Sequence, residues 1–234
     1  MSRLVDAATI GVICMDTSFT KILGHIRNPG TFDFPVRYRV VRGATAELAT
    51  GTDPPLLGGF IEAARDLENQ GVAAITSGCG FLAIFQRELA DAVKVPLYSS
   101  SLIQLPMVHR MLRRNQRVGL LLARERTFTR RHLAGVGAER VPVCAIGMEE
   151  QPEFREVILE AARDEIDVDR LGREVLDQVR RLSQGNPDLG ALVIECTDLV
   201  PYAQAIQRQL KLPVFDIVTL TDMVHRSLTR GRFG

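Results

Sequence analysis

Val72-Ala73-Ala74-Ile75-Thr76-Ser77-Gly78-Cys79-Gly80-Phe81 is answered later in the chain by Ala191-Leu192-Val193-Ile194-Glu195-Cys196-Thr197-Asp198-Leu199. Each stretch opens on an apolar run of strand length and reaches a cysteine among small or polar residues. Each then passes into helical period, from Leu82 to Val93 and from Leu199 to Leu210. Both cysteines therefore stand at strand-to-helix junctions. Cys196 minus Cys79 is 117, and Lys211 minus Lys94 and Pro213 minus Pro96 repeat that offset. Met107-Val108-His109-Arg110 returns as Met223-Val224-His225-Arg226, one residue out of step. The chain reads as two copies of a strand–Cys–helix–strand–helix unit with a thiol at the same place in each.

Outward from these turns, the apolar run Ala8 to Met15 predicts a first strand buried on both faces, as in a parallel sheet, ending at Asp16-Thr17-Ser18. Residues 20–35, with Asn28-Pro29-Gly30, form a long irregular connection of the kind that often carries function. Val36 to Val41 resumes a strand, and Pro54-Pro55 opens a helix from Leu56 to Gln70. Val95 to Tyr98 is a strand, and Ser99-Ser100-Ser101 caps a helix to about Arg114. The pattern restarts at Arg117 with the Gly-containing strand Val118 to Leu122, a short helix from Thr127 to Leu133, and a strand from Val141 to Ile146. Helical period then runs from Glu153 to Arg163 and from Val168 to Leu182, and a last helix begins near Thr221. Alternation of strands with helices predicts an α/β fold with parallel sheets. The repeat predicts two lobes: residues 1–98 with 216–234, carrying Cys79, and residues 99–215, carrying Cys196. Ligands of open parallel sheets bind beyond the carboxyl ends of the strands, so the two thiols are expected to face each other across a cleft.

Composition excludes several classes. A chain of 234 residues with 46% hydrophobic and 24% charged residues can bury a sizeable core. Net charge is +1, which gives no broad pull toward nucleic acid or membrane. The cluster Arg124 to Arg131 is interrupted by Glu125 and reads as a solvated helix end. No apolar run approaches the roughly 20 residues of a membrane span, and Met1-Ser2-Arg3-Leu4-Val5-Asp6 lacks signal-peptide order, so a cytoplasmic protein is expected. The four cysteines at 14, 79, 144 and 196 form no CxxC pair, which argues against disulfides and against a metal site. Cys14 and Cys144 lie in apolar runs and are expected to be inert.

A thiol at a helix N-terminus feels unsatisfied N–H groups, which favour its thiolate. Two such thiols suit removal of a proton from one face of a carbon and its return to the other. The proton is one α to a carboxylate or carbonyl. Pyridoxal phosphate needs a Schiff-base lysine, yet Lys94 and Lys211 precede strands and Lys21 has no recognisable setting in its loop. No cofactor is therefore expected, and backbone N–H groups at Gly78 to Phe81 and Thr197 to Leu199 are candidates to hold a carboxylate.

The paired Cys turns, Asp16-Thr17-Ser18 and Glu195-Cys196-Thr197 resemble the cofactor-independent aspartate/glutamate/hydantoin racemase superfamily. The resemblance implies two pseudo-symmetric, flavodoxin-like lobes with parallel sheets, an active site in the interlobe cleft, and a homodimer or larger homo-oligomer. It implies a racemase or epimerase in which Cys79 and Cys196 act as opposed acid and base on a small carboxylate-bearing substrate. Substrate-binding residues would be Asp16, Thr17, Ser77, Gly78, Gly80, Thr127, Thr197 and Asp198, with Asp16 tuning the first thiol. Gly80-Phe81 and Asp198 stand where glutamate racemases have Asn-Thr and His, which argues against glutamate. Maleate-type cis–trans isomerisation by covalent Cys attack, and a non-catalytic carboxylate-binding protein, stay open. His109 and His225 are assigned packing or surface roles, and Arg27 and Arg37 are candidates to meet a substrate carboxylate, although nothing in the spacing requires it.

Overall fold

The computed structural model describes residues 8–50 and 57–230, so the N-terminal segment and Pro54-Pro55 lie outside the described residues. The first sheet holds β1 (Ile10–Cys14), β2 (Val36–Val40), β3 (Ala74–Ser77) and β4 (Leu97–Tyr98). The second holds β5 (Arg117–Leu122), β6 (Val143–Gly147), β7 (Leu189–Ile194) and β8 (Val214–Phe215). Strand orders are β2-β1-β3-β4 and β6-β5-β7-β8, and every pairing is parallel. The two lobes thus share one topology, as the repeat predicts. Burial explains the composition: β1, β3 and β7 are buried throughout, while β2 alternates along an edge.

The helices are α1 (Ala46–Ala49), α2 (Leu57–Asn69), α3 (Gln86–Asp91), α4 (Leu105–Met111), α5 (Arg130–Gly135), α6 (Pro152–Phe154), α7 (Val168–Gly185), α8 (Ala203–Leu210) and α9 (Ile217–Leu228). Helix α9 starts four residues before the position that the sequence pattern predicts. Its N-cap is Asp216, whose carboxylate accepts from Val218 and Thr219 N–H at 2.8 Å each. The single helix expected from Glu153 to Arg163 is instead α6 followed by a π-helical turn, Arg155–Leu159. Buried Glu153 sets that path. Its carboxylate accepts the Asp167 N–H at 2.7 Å and pairs with Arg163 and with Arg170, tying the segment to the start of α7.

The lobes press together at the carboxyl ends of their sheets. The turn Gly80–Phe85 packs on α5, with the Phe81 ring edge-on to His132 at 4.8 Å. Ser101 donates to the Ile194 carbonyl at 2.7 Å, and Gln104 to the Asp216 carbonyl at 3.1 Å. A β-carbon on Gly135 would overlap the Ala83 carbonyl, so this helix comes as near to the first lobe as a bare backbone allows. We predict that Gly135→Ala overpacks the junction and costs about 1–3 kcal/mol, a fall in Tm of roughly 3–10 °C. Gly185→Ala, at an open position, is the control and leaves Tm unchanged or slightly raised. Equal melting of the two variants by calorimetry would contradict this account of the junction.

Candidate active site

The strand order reverses between β1 and β3, and again between β5 and β7, so each lobe opens a crevice beside its Cys turn. The two crevices merge. Cys79 and Cys196 line one cavity together with Met15, Ala46, Thr50, Gly78, Gly80, Ile158, Glu195, Thr197 and Asp198. A second compartment, lined by Thr17, Phe19, Lys21, His25 and Arg27, shares Met15, Ala46, Gly78, Ile158 and Asp198 with the first. Their free volumes are about 30 and about 20 Å³, room for one or two waters each. A substrate of even a few carbons requires the lobes, or the turn Arg155–Leu159 that covers the cleft, to move apart. A larger surface groove of about 830 Å³ runs beside α4 and residues 137–141, but neither thiol lines it.

The segments after the thiols are 3-10 turns, Gly80–Phe85 and Thr197–Tyr202, rather than the α-helical starts that the periodicity predicts. Pro201 lies inside the second. In both turns the cysteine carbonyl accepts the N–H three residues on, from Leu82 at 3.2 Å and from Leu199 at 3.1 Å. Ser77 holds the first turn to its strand: its hydroxyl lies 3.0 Å from the Cys79 carbonyl and 2.5 Å from the Ser99 carbonyl. It lines neither compartment. Thr197 donates to the Gly78 carbonyl at 2.9 Å, so one Cys turn is bonded directly to the other. Gly80 is required where it stands, because a β-carbon there would overlap the Glu195 carbonyl and carboxylate.

The expectation of activated thiolates is overturned. Burial pushes the Cys79 thiol up to about 12, with Glu195 adding to the effect and the Phe81 and Leu82 N–H groups only partly offsetting it. Cys196 is raised well above the ordinary thiol range by burial, then by Asp198 and Glu195. The N–H groups at each turn do favour the thiolate, but a 3-10 turn offers few of them and desolvation outweighs them. Glu195 is itself pushed up to about 8 by burial, against the hydrogen bond it accepts from Ala123 N–H at 3.1 Å. Asp198 goes the other way. Burial opposes its ionisation, yet the hydrogen bond from His25 and the charge of Lys21 hold it below the usual carboxylate range.

That hydrogen bond joins His25 Nε2 to Asp198 Oδ1 at 2.9 Å, while Asp198 Oδ2 accepts from the Cys196 thiol at 3.6 Å. His25 Nδ1 accepts the Arg27 N–H at 2.9 Å, which leaves the proton on Nε2. Cys196, Asp198 and His25 thus form a chain of thiol, carboxylate and orienting imidazole.

Asp16 does not reach either thiol; it is exposed, and its carboxylate accepts the Gly43 N–H at 2.9 Å. The acids beside the thiols are Glu195 and Asp198 instead. Thr127 lines neither compartment, and its buried hydroxyl has no hydrogen-bond partner among the described residues. Thr17 lines the second compartment and accepts from Arg27 Nη1 at 2.8 Å. Cys14 is buried with its thiol pushed up to about 11, whereas Cys144 is only half-buried. His225 stacks on Phe34 at 3.8 Å, and no group of three or more His, Cys, Asp or Glu among the described residues is placed to hold a metal ion. Sequence reading missed Glu195, Lys21 and His25. An acid at the end of a buried strand was a signal for the first; for the other two, loop residues far away in sequence, there was none.

No family model matches the chain. Dimethylsulfoniopropionate lyase 6 of Emiliania huxleyi (strain CCMP1516) is 34% identical over 99% of this chain and 63% of its own length. The chain thus spans less than two thirds of that relative. Dimethylsulfoniopropionate lyase of Durusdinium sp. clade D is 27% identical over 98% of this chain and 78% of its own length. Among solved structures, a glycine-to-cysteine mutant of arylmalonate decarboxylase aligns over 97% of both chains with TM-score 0.63 and 18% identity. Glutamate racemase from Aquifex pyrophilus aligns over 95% of this chain and 84% of its own, with TM-score 0.58 and 16% identity. Among the described residues no helix is long and apolar enough to cross a membrane.

Two measurements test the electrostatics. Iodoacetamide should label Cys79 and Cys196 slowly in the folded chain at neutral pH, with a rate that goes on rising past roughly pH 9, where an ordinary thiol levels off, since the thiolate is the nucleophile. Labelling at neutral pH at the rate of a free thiol would contradict the assigned shifts. Glu195 keeps in the folded chain a proton that the unfolded chain loses above about 4.5, so its contribution fades as pH rises through about 8. Glu195→Gln removes this dependence, and its Tm advantage over the parent should grow from about pH 5 to about pH 8.

Proposed function

On the premise of a chain with the two-lobed fold of the aspartate/glutamate racemase superfamily, we propose a cofactor-independent lyase that removes the proton α to a carboxylate and expels a sulfonium group from the β carbon. The proposed substrate is dimethylsulfoniopropionate or a close analogue. A racemase and such a lyase share their first step, abstraction of a weakly acidic α-proton. They differ in the second step: either another acid returns a proton, or the carbanion electrons form a double bond and a leaving group departs. Here the thiolate takes the α-proton and the C–H electrons become the new C=C bond. The C–S electrons leave with sulfur, giving acrylate and neutral dimethyl sulfide.

The observation that carries the reading is the acid-rich surrounding of the paired thiols, taken with the names of the relatives that span nearly the whole chain. Buried Glu195 and Asp198 raise the cost of a thiolate beside them. A sulfonium is a permanent cation. Placed there it offsets both acids, eases thiol ionisation and draws electrons from the neighbouring carbon that loses its proton. Cys196 is the proposed base, because its thiol is the one oriented by a hydrogen bond to Asp198, which His25 holds in place. Cys79 faces the same space and has no proton to return in an elimination.

Racemisation is the second reading, favoured by the equivalence of the two Cys turns. We also retain, as part of the proposal, lobes of residues 1–98 with 216–234 and residues 99–215. Each sheet draws its strands from one of these segments, which supports that division.

Headspace gas chromatography of the purified chain with dimethylsulfoniopropionate tests the reading. Release of dimethyl sulfide is expected, with Cys196→Ala lowering it at least about 100-fold and Cys79→Ala lowering it less. No release, together with α-deuterium uptake from D2O into amino acids or hydantoins that needs both cysteines, would replace the lyase with the racemase.

A further inference from the structure

Lys21 is the charged group that the proposed elimination leaves unused. Its Nζ is buried, sits 2.7 Å from the centroid of the Phe19 ring, and has no hydrogen-bond partner among the described residues. It lines the compartment that opens into the thiol cavity. Its neighbours there are already committed. Arg27 Nη1 donates to the Met15 carbonyl at 3.0 Å and to Thr17, and His25 donates to Asp198. An ammonium held over an aromatic ring without an acceptor is costly, and Asp198, whose charge reaches it, is already bonded to His25 and Cys196.

We propose that Lys21 is the anchor for the substrate carboxylate, so that the cleft selects small aliphatic carboxylates with the α carbon toward the thiols. The inference rests on the lyase reading for the identity of the substrate, but not for the binding itself. Lys21 lines one of the joined compartments and Glu195 the other, one suited to an anion and the other, when ionised, to a cation. A zwitterion with a carboxylate at one end and an onium group at the other matches that order. Burial brings Lys21 down to about 7, opposed by Asp198 and reinforced by Arg27, with Cys14 and Cys196 as weaker influences. A bound carboxylate favours the ammonium, so binding should draw in a proton above neutral pH. Carboxylate affinity should therefore fall as pH rises past about 7.

Propionate is the probe, with its dissociation constant read by ligand-observed NMR on the full chain between about pH 6 and about pH 9. The parent chain should lose affinity at least about tenfold between about pH 7 and about pH 9. Lys21→Met should bind at least about tenfold more weakly at pH 6, and Lys21→Arg should bind with an affinity that stays level to pH 9. If Lys21→Met fails to fold, the pH profile of Lys21→Arg decides. Persistence of the fall in Lys21→Arg would assign it to ionisation of Glu195 and overturn the proposal, as would undiminished binding by folded Lys21→Met or no propionate binding by the parent. Propionate binding without dimethyl sulfide release would retain Lys21 and sink the lyase; release without propionate binding would do the reverse.

Discussion

The hydrogen bond between His25 and Asp198 spans 173 residues of sequence and closes the cleft from one side. It draws the long loop after β1 onto the second Cys turn. That loop carries Thr17, Phe19, Lys21 and Arg27, so one contact brings the cationic compartment against the thiol cavity. It also turns Asp198 so that its other oxygen meets the Cys196 thiol. A hydrogen bond to a charged group contributes about 1.5–3 kcal/mol, and leaving the buried carboxylate without it costs more than a surface ion pair would. Ser18 and the Thr20 N–H add contacts from the same loop to Asp164 of the segment that covers the cleft.

Electrostatics inside this enclosure follow from burial before anything else. Both thiols, Glu195 and Lys21 are shifted toward their neutral forms, and desolvation is the leading cause for each. Asp198 alone among them keeps its charge readily, because it has His25 and Lys21 beside it. A cleft in this state resists ionisation until a ligand supplies the missing partners. A zwitterion supplies both at once, an anion for Lys21 and a cation for the thiol end. Closure around such a ligand then excludes water from a carbanion-forming step, in which water would otherwise compete for the proton and screen the charges.

Asp16 and the thiol environment, both placed from the chain alone, needed revision for one shared cause. Local pattern reports the neighbours of a residue in sequence. Asp16 ends a strand beside the cleft, yet its carboxylate satisfies the Gly43 N–H nearby, since an exposed acid needs no more distant partner. The thiols stand at helix starts, yet the turns are 3-10 and the buried acids outweigh the N–H groups. Glu195 was readable in principle as an acid at the end of an apolar strand. Lys21 and His25 were not, because nothing local distinguishes a functional loop cation from a solvated one.

The repeat, the apolar strands and the junction position of Cys79 and Cys196 were all determined by the sequence. They settle a parallel α/β fold in two like lobes with one thiol at each carboxyl edge, because strand burial and turn chemistry are local and periodic. Which charges face those thiols was decided only by the tertiary structure. Charge state depends on every group within a few ångströms and on how much water is excluded, and both are properties of the folded enclosure.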